Sequence, residues 1–324
     1  MTALHAKICP VIFKKWISRS NKVFYRPRNL YALNYLLEKG EKGGFAVGAF
    51  SARSSQFIKS IFRAGERTQS PIIVQVTLTE CKWYQMTLAQ FADDFWNLFE
   101  SEKPTIPVAL HLDHTQDIEI IKEAISLGFT SVMIDASAKP LAENIKITAE
   151  VVEYAHARGV SVEGELGKIG TTDMMETEAS EELLTDPAEA EQFVKMTRVD
   201  ALAVSVGTAH GVYAAVQPKV DVERIKAIRA RTAVHLVLHG GSGTPQELIY
   251  PAIHLAGGGI SKINVATDLE LAMLKSLGIE NRVTNDELKA LPTKELEKAL
   301  AAVQDIVEDK IINFLGSRNH ASDF

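Results

Sequence analysis

Residues 108–114 read Val-Ala-Leu-His-Leu-Asp-His, an apolar run of strand character that ends in an acid and an imidazole. A run built only to fill a core would not be expected to end in this way. At a strand end, His114 offers a neutral imidazole nitrogen to a divalent ion. Asp113 beside it could move a proton to or from a substrate oxygen. Alone, a histidine after a strand is more often an ordinary loop residue, so the interpretation depends on how the other strands end.

The alternation of a short apolar run with an amphipathic segment continues along the chain from Phe45. Strands are predicted at 45–50, 71–77, 108–114, 131–136, 161–167, 201–207, 235–241 and 260–266. Helical patterns lie at 56–68, 87–101, 118–127, 141–158, 187–198, 222–231, 245–256 and 269–277. Nearly continuous apolar strands separated by helices indicate a parallel sheet buried on both faces. Eight such units favour an α/β fold, a single (β/α)8 TIM barrel. An open doubly wound sheet is the alternative, although no G-x-G-x-x-G segment follows the first strand.

Composition narrows the function classes. The chain of 324 residues is long enough for one large barrel or two ordinary domains, and its 46% apolar residues can form a sizeable core. Its net charge is -6. No compact basic patch with interleaved aromatics suggests a nucleic-acid partner. Only Cys9 and Cys81 occur, which argues against a disulfide scaffold or a zinc-thiolate site and favours a reducing, cytoplasmic location. No apolar run approaches the roughly 20 residues of a membrane span.

The two chain ends lie outside the repeating pattern. The first 37 residues are basic and contain no acid, so residues 1–27 are predicted to be a basic surface extension of a barrel that occupies 28–324. An organelle transit segment is the alternative, although serines are few and no cleavage signal is clear. A further helical pattern at 293–315 carries an apolar stripe that could pack on the barrel or on a second subunit. The stripe consists of Leu296, Leu300, Val303, Ile306, Val307 and Ile311.

Polar side chains gather at the carboxyl ends of the predicted strands, where barrels of this type carry their chemistry. They are Asp113, His114, Asp135, Glu163, Glu165, His210, His239 and Asn264. Three imidazoles from three strands, with water or substrate in the remaining positions, are typical of an open catalytic metal site. His111 shares its side of the strand with Asp113 and could support the site from behind. The remaining histidines are interpreted as structural: His5, His156, His235, His254 and His320.

Two loops complete the predicted site. The segment Gly240-Gly-Ser-Gly243 precedes a helix start, so its backbone N–H groups could hold a phosphate, with side-chain donors from Ser242, Asn264 and Thr267. The longest connection, 168–185, is polar and acidic, as lids often are. A carboxylate carried on it could be a second acid or base that arrives with the substrate.

These segments together resemble the class II, metal-dependent ketose-bisphosphate aldolases, the family of fructose-1,6-bisphosphate and tagatose-1,6-bisphosphate aldolases. The resemblance covers roughly residues 28–315. It rests on H-L-D-H (111–114), S-V-M-I-D (131–135), V-E-G-E-L-G (162–167), V-G-T-A-H-G-V-Y (206–213), L-H-G-G-S-G-T-P (238–245) and K-I-N-V-A-T-D (262–268). It implies a zinc ion on His114, His210 and His239, and an inner metal position supported by Asp135 and Glu165. Asp113 would be the proton donor in condensation.

The resemblance also implies a substrate site, a reaction and an assembly. The dihydroxyacetone phosphate half would be held by Gly211, Gly240, Gly241, Ser242, Asn264 and Thr267. A monovalent cation would lie near Gly211 and Gly240, and the enzyme would be a homodimer or homotetramer. Fructose 1,6-bisphosphate is the expected substrate, with tagatose 1,6-bisphosphate or another ketose phosphate as the alternative. A metal hydrolase and a non-catalytic sugar-phosphate-binding barrel are the competing classes.

Four segments depart from the family pattern: 50–55, 75–81, 136–140 and 170–173. In the last, Asp173 stands where a lid glutamate is expected and has a shorter reach. Asp173 is the predicted second catalytic residue, with Glu176 or Glu178 as the alternatives. The departures leave the metal residues in place and bear on which sugar is accepted.

Overall fold

Eight parallel strands form a closed barrel in the computed structural model, which describes residues 15–17, 23–25, 27–167, 170–172, 184–211 and 218–324. At 15–17, 23–25, 170–172 and 210 only the backbone is described. The barrel strands, numbered first to eighth in chain order, are Val47–Ser51, Ile72–Thr77, Val108–Thr115, Ser131–Ile134, Ser161–Leu166, Ala201–Val204, His235–Leu238 and Ile260–Val265. Each strand pairs with its neighbours in chain order, and the eighth pairs with the first. The predicted TIM barrel is confirmed.

The helices lie between and after the strands. They are Leu33–Gly43, Phe57–Thr68, Leu78–Trp83, Leu88–Glu102, Ile118–Ser126, Leu141–His156, Pro187–Thr197, Val222–Arg229, Gln246–Ile253, Thr267–Leu277, Asn285–Lys289 and Thr293–Asp309. Local capping explains many of their starts. The Asp186 side chain accepts hydrogen bonds from the N–H groups of Ala188 and Glu189, and Pro187 begins the helix behind it. No helix in these ranges is long and apolar enough to cross a membrane.

Three predicted strands end two or three residues earlier than expected. The fourth, sixth and seventh stop at Ile134, Val204 and Leu238 instead of 136, 207 and 241. Beyond these points the backbone leaves the ladder and forms the rim loops. Gly207 and Gly240 there have φ values of +104° and +74°, which a regular strand does not allow.

The amino-terminal end of the barrel is closed by the helix Leu33–Gly43, which the periodicity of the sequence did not reveal. Its Leu33, Leu36 and Leu37 are fully buried and pack against the lowest inward-facing side chains, including Val47 and Met133. The segment before this helix is attached to the start of the third strand, where the N–H of Tyr31 donates to the carbonyl of Val108 at 2.8 Å. Within the described residues, this helix closes the amino-terminal end, so the barrel interior opens toward the carboxyl ends of its strands.

The C-terminal helix Thr293–Asp309 packs on the barrel, which decides between the two predicted locations of its apolar stripe. Leu300, Val303 and Val307 are buried where this helix contacts Phe57–Thr68 and Thr267–Leu277. The predicted helix at 293–315 is not α-helical throughout, because Lys310–Leu315 forms a π-helix. The wider turn accompanies a buried lysine: Lys310 Nζ lies 2.8 Å from Asp268 Oδ2 at the rim.

Residues 1–27 remain a predicted extension, because most of them lie outside the described residues. Lys15–Ile17 and Val23–Tyr25 pair as two antiparallel strands.

Candidate metal and substrate site

The barrel interior changes from apolar to polar along its axis. Its lower layers consist of Val47, Ala49, Ile73, Ala109, Met133, Ala201, Ala203 and Val237. Because side chains alternate across a strand, the next inward positions along the strands form two polar layers above them. These layers contain the buried Gln75, His111, Asp113, Glu163, Glu165, His239, Lys262 and Asn264. So many polar groups inside a closed barrel require partners or a bound cation, since unpaired charges are costly to bury.

A bulge in the third strand allows Asp113 and His114 to face the interior together. Three steps along this strand, from Leu112 to Thr115, match two steps along the fourth, from Val132 to Ile134. His114 sits in the bulge with a φ of +36°, a strained value for a residue that is not glycine. Neighbours in a regular strand would point to opposite faces. The bulge therefore places a carboxylate and an imidazole side by side.

His114 lies among carboxylates of the neighbouring strands. Its Nδ1 is 3.0 Å from Asp135 Oδ2 and 3.8 Å from Glu165 Oε2. Burial opposes the charged imidazolium, but the carboxylates of Asp113 and Asp135 raise the pKa of His114 to about 10. Burial and the charge of Asp135 raise the pKa of Glu165 to about 8. The local excess of negative charge favours a cation at this position.

His239 enters the same space from the seventh strand. Its ring centroid is 4.6 Å from that of His114, and its Nδ1 is 3.8 Å from Glu165 Oε2. Its Nε2 lies 3.0 Å from Glu163 Oε1, which favours the tautomer with the proton on Nε2 and the lone pair on Nδ1. Glu163 thus directs one nitrogen of His239 toward the other candidate ligands.

The candidate ligands form groups of three whose ligand atoms are close enough together to bind one metal ion. Ligand atoms of Asp113, His114 and His239 lie within 4.8 Å of one another, and so do those of His114, Asp135 and Glu165. Glu165 Oε2 is buried and makes no hydrogen bond within the described residues. Nitrogen and oxygen donors at these spacings fit a divalent ion such as zinc. The structure therefore places Asp113, His114, His239, Asp135 and Glu165 close together, and their roles stay predictions.

Two predicted residues cannot be placed fully. The backbone of His210 lies in the short strand Ala209–Gly211, which pairs in parallel with Gly170–Thr172, but the side chain of His210 is outside the described residues. Asp173 is also outside them, and it directly follows Thr172, the partner of Gly211. The ligand role of His210 and the catalytic role of Asp173 stay predictions.

Asp113 is held in one orientation by two amides. Its Oδ2 accepts hydrogen bonds from Gln75 Nε2 at 3.0 Å and from Asn264 Nδ2 at 3.1 Å. Its Oδ1 makes no hydrogen bond within the described part of the chain. Burial opposes ionisation, but the charges of His114 and Lys262 hold the pKa of Asp113 well below its ordinary value. Asp113 therefore favours its ionised form, and its Oδ1 lies 3.5 Å from His111 Nε2.

The loops after the sixth, seventh and eighth strands meet at the rim. A side chain at Gly240 would place its Cβ 2.2 Å from the carbonyl oxygen of Ala209, so only glycine fits there. The N–H of Gly241 donates to the carbonyl of Asn264 at 3.0 Å. Ser242 Oγ accepts from the N–H groups of Ala266 and Asp268, at 3.1 and 3.3 Å. The predicted phosphate loop and the start of the helix Thr267–Leu277 therefore form one surface.

The departing segments after the first and second strands meet in a buried ion network. Arg53 has an exposed side-chain fraction of 1%, and its Nε donates to Glu80 Oε1 at 3.1 Å. Its Nη1 pairs with Glu270, and its Nη2 donates to Thr267 Oγ1 at 3.2 Å. Arg282 also pairs with Glu270, at 2.6 Å. An arginine in this position therefore ties the altered loops to the predicted phosphate site.

The sequence pattern did not identify Gln75, Arg53 and Lys262 as members of the site. Alternation along the strands could have indicated two of them. Gln75 and Lys262 are polar residues at inward-facing positions of otherwise apolar strands, and Lys262 stands two residues before Asn264. Their partners come from other strands, which no local pattern identifies.

A protein-family model described as fructose-bisphosphate aldolase class-II matches residues 31–320. The chain belongs to this family. The resemblance predicted over residues 28–315 is confirmed, and as a class II aldolase the protein is an enzyme of the lyase class.

Solved structures agree with the assignment of this class II aldolase. The YdjI aldolase from Escherichia coli K12 is 30% identical, with a TM-score of 0.74, and the match covers 90% of this chain and 99% of that one. A Coccidioides immitis protein provisionally assigned as a fructose-1,6-bisphosphate aldolase is also 30% identical, with a TM-score of 0.76 and coverage of 92% and 99%. Fructose-bisphosphate aldolase from Campylobacter jejuni, 21% identical with a TM-score of 0.70 and coverage of 90% and 96%, supports the fold alone.

Proposed function

We propose that this class II aldolase cleaves a ketose 1,6-bisphosphate, and forms it in the reverse direction, with fructose 1,6-bisphosphate as the preferred substrate. The products are dihydroxyacetone phosphate and glyceraldehyde 3-phosphate. The observation that carries the proposal is the convergence of Asp113, His114 and His239 at the carboxyl end of the barrel, with their ligand atoms within 4.8 Å of one another. The proposal includes cytoplasmic location and assembly as a homodimer or homotetramer.

The metal of this proposal is zinc, on which class II aldolases generally depend. His114, His210 and His239 would hold it, and Asp135 and Glu165 would support an inner divalent position. The buried Glu165 Oε2, which makes no hydrogen bond within the described residues, fits such a position. A bound zinc ion would supply Lewis-acid polarisation of the substrate ketone. A monovalent cation near Gly211 and Gly240 belongs to the same proposal.

Asp113 is the proposed proton carrier. In cleavage it accepts the proton of the C4 hydroxyl, the C4–O bond becomes the aldehyde carbonyl, and the electron pair of the C3–C4 bond stays on the three-carbon ketone. In condensation Asp113 returns the proton to the aldehyde oxygen. Gln75 and Asn264 fix its Oδ2, so its Oδ1 keeps a defined direction. Asp173 is the proposed second acid or base, which would deliver a proton to the resulting carbanion carbon in cleavage and remove that proton in condensation.

The phosphate of the three-carbon half is proposed to bind at the joined rim loops. Gly211, Gly240, Gly241, Ser242 and Thr267 would contribute backbone or side-chain donors at the start of the helix Thr267–Leu277. Asn264, also predicted as a substrate residue, donates to Asp113 in this structure. Its Oδ1 makes no hydrogen bond among the described residues, so it can still accept one from a substrate hydroxyl.

Cleavage assays on fructose 1,6-bisphosphate and tagatose 1,6-bisphosphate test the proposal, with triose phosphates identified as products. We expect release of both trioses from fructose 1,6-bisphosphate, loss of the activity with a chelator, and recovery with Zn²⁺. Faster cleavage of the tagatose ester would reassign the sugar. Release of inorganic phosphate would indicate a metal hydrolase. Binding of the sugar phosphate without turnover would indicate a non-catalytic barrel.

A further inference from the structure

A fully buried lysine stands in the centre of the barrel, below the candidate metal ligands. Lys262 Nζ lies 2.8 Å from Glu163 Oε2, 3.5 Å from His111 Nε2 and 3.9 Å from Asp113 Oδ1. All four side chains are buried. The lysine comes from the eighth strand and its three neighbours from the third and fifth, so the contact crosses the barrel interior.

The three neighbours of the lysine could themselves hold a metal ion. Ligand atoms of His111, Asp113 and Glu163 lie within 4.8 Å of one another, as close as those of the outer sets. Two carboxylates and one imidazole are a suitable ligand set for a divalent ion. This inner cluster is therefore a competing metal position, and the Lys262 ammonium lies among its ligands.

We propose that the Lys262 ammonium is a built-in cation that excludes a divalent ion from the His111–Asp113–Glu163 cluster and so confines the ion to the outer ligands His114 and His239. The Lys262 ammonium supplies the positive charge that the carboxylates of Asp113 and Glu163 would otherwise take from an ion. It also occupies the space in which that ion would bind. The inference rests on the proposed function only in taking the outer residues as the metal site.

The exclusion preserves two other contacts. Glu163 uses Oε2 for Lys262 and Oε1 for His239 Nε2, at 3.0 Å, so an ion bound by Glu163 would compete with the orientation of His239. Asp113 Oδ1, held 3.9 Å from the ammonium, would become a metal ligand if an ion replaced the lysine. The lysine therefore keeps Asp113 as a base and Glu163 as the partner of an outer ligand.

The test counts metal ions in Lys262→Ala, which removes the charge and leaves space. After saturation with Zn²⁺ or Co²⁺ and removal of the excess, elemental analysis is expected to find one more ion per chain than in the parent. The Co²⁺-loaded variant should also show a second component in its visible absorption. The control is Lys262→Ala/His111→Ala, which should lose the additional ion and keep the first, because His111 belongs only to the inner cluster.

Equal ion counts in Lys262→Ala and the parent would overturn the inference. Should the variant not fold, crystals of the parent soaked in Zn²⁺ give the answer. An anomalous peak at the outer ligands alone supports exclusion, and a peak among His111, Asp113 and Glu163 with the lysine displaced refutes it. A parent that binds no divalent ion would instead count against the proposed metal-dependent function, whatever the variant binds.

Discussion

At the scale of single residues, the two oxygens of Asp113 have different surroundings. Oδ2 is fixed by Gln75 and Asn264, whereas Oδ1 faces the interior with Lys262 at 3.9 Å. An asymmetric carboxylate of this kind presents one basic oxygen in a constant direction, which general base catalysis requires. Its neighbour in the chain, His114, is a proposed metal ligand. One bulge in the third strand therefore orients both the proposed proton carrier and a proposed metal ligand.

Replacing Asp113 with Asn tests the proton transfer. The amide has nearly the same shape but cannot accept the proton, so kcat for cleavage should fall by on the order of 10²-fold or more. Steady-state kinetics give the result, and the zinc content, measured in the same samples, is expected to stay at the parent value. Cleavage at the parent rate would show that another group carries the proton.

Replacing His210 with Ala tests the third imidazole. Loss of one of three imidazole ligands should abolish metal-dependent turnover and lower zinc affinity, while circular dichroism stays that of the parent. The control is His254→Ala: this residue lies at the end of the helix Gln246–Ile253, where its Nδ1 is 2.9 Å from the Tyr250 carbonyl oxygen, and its loss should leave activity unchanged. Full activity of His210→Ala would remove that residue from the ligand set.

The ends of apolar strands made several site residues predictable from the sequence. His114, Asp135, Glu165 and His239 could be found because parallel strands bring their carboxyl ends to one edge. The inward direction of His114 could not be found, since strict alternation with Asp113 would turn it away and only the bulge reverses this. The pairing of Lys262 with Glu163 joins residues 99 positions apart, a contact decided by barrel closure.

At the scale of secondary-structure elements, the Arg53 network joins the ends of the first two strands to the helix Thr267–Leu277. Arg53, Glu80 and Glu270 are almost completely buried, and Arg282, whose side chain is 20% exposed, pairs with Glu270 from the outer side. Buried charges are tolerable only when they are paired, and removal of one partner leaves the other uncompensated. The network should therefore fix the relative positions of these elements firmly.

Replacing Arg53 with Met should lower the free energy of unfolding by about 3–5 kcal/mol, because Glu80 would lose its cation in the interior. The matched control is Arg63→Met on the helix Phe57–Thr68. Arg63 also contacts two carboxylates, those of Glu102 and Glu297, but its side chain is 39% exposed. Its loss should lower the free energy by at most about 1 kcal/mol. Urea denaturation of both variants gives the comparison, and equal losses would contradict the role assigned to the network.

Most elements followed from periodicity, and the exceptions have physical reasons. The helix Leu33–Gly43 precedes the first barrel strand and buries only one short row of leucines, so its pattern was not distinguishable from a connecting segment. The stripe at 293–315 was visible, but the surface it covers depends on the arrangement of Phe57–Thr68 and Thr267–Leu277 in space. Periodicity identifies an apolar face and does not identify its partner.

At the scale of the whole molecule, the C-terminal segment crosses the amino-terminal end of the barrel, opposite the site. The Phe324 ring lies 6.2 Å from Tyr31 and 6.0 Å from Tyr35. The N–H groups of Asn319 and Ala321 donate to the carbonyls of Thr68 and Gln69, at 2.9 and 2.8 Å. The last residues thus attach the closing helix to the barrel wall.

Removing residues 317–324 should destabilise the protein without changing its chemistry. The melting temperature should fall by roughly 2–4 °C for each kcal/mol of lost contacts. At a temperature where the truncated chain is folded, kcat/KM should stay at the full-length value, because the deleted contacts lie at the end of the barrel away from Asp113. Calorimetry and cleavage kinetics measure the two effects, and a large loss of kcat/KM in the folded truncated chain would contradict this separation.

The helix Leu33–Gly43 closes the amino-terminal end of the barrel and leaves the carboxyl end as the opening to the site. In the described part of the chain, its buried leucines leave no route to the polar layers through the amino-terminal end of the barrel. The substrate and the cleavage products of this aldolase should therefore pass through the same opening one after another. A product that stays at the rim would block entry of the next substrate, so we expect product departure to contribute to the duration of each catalytic cycle.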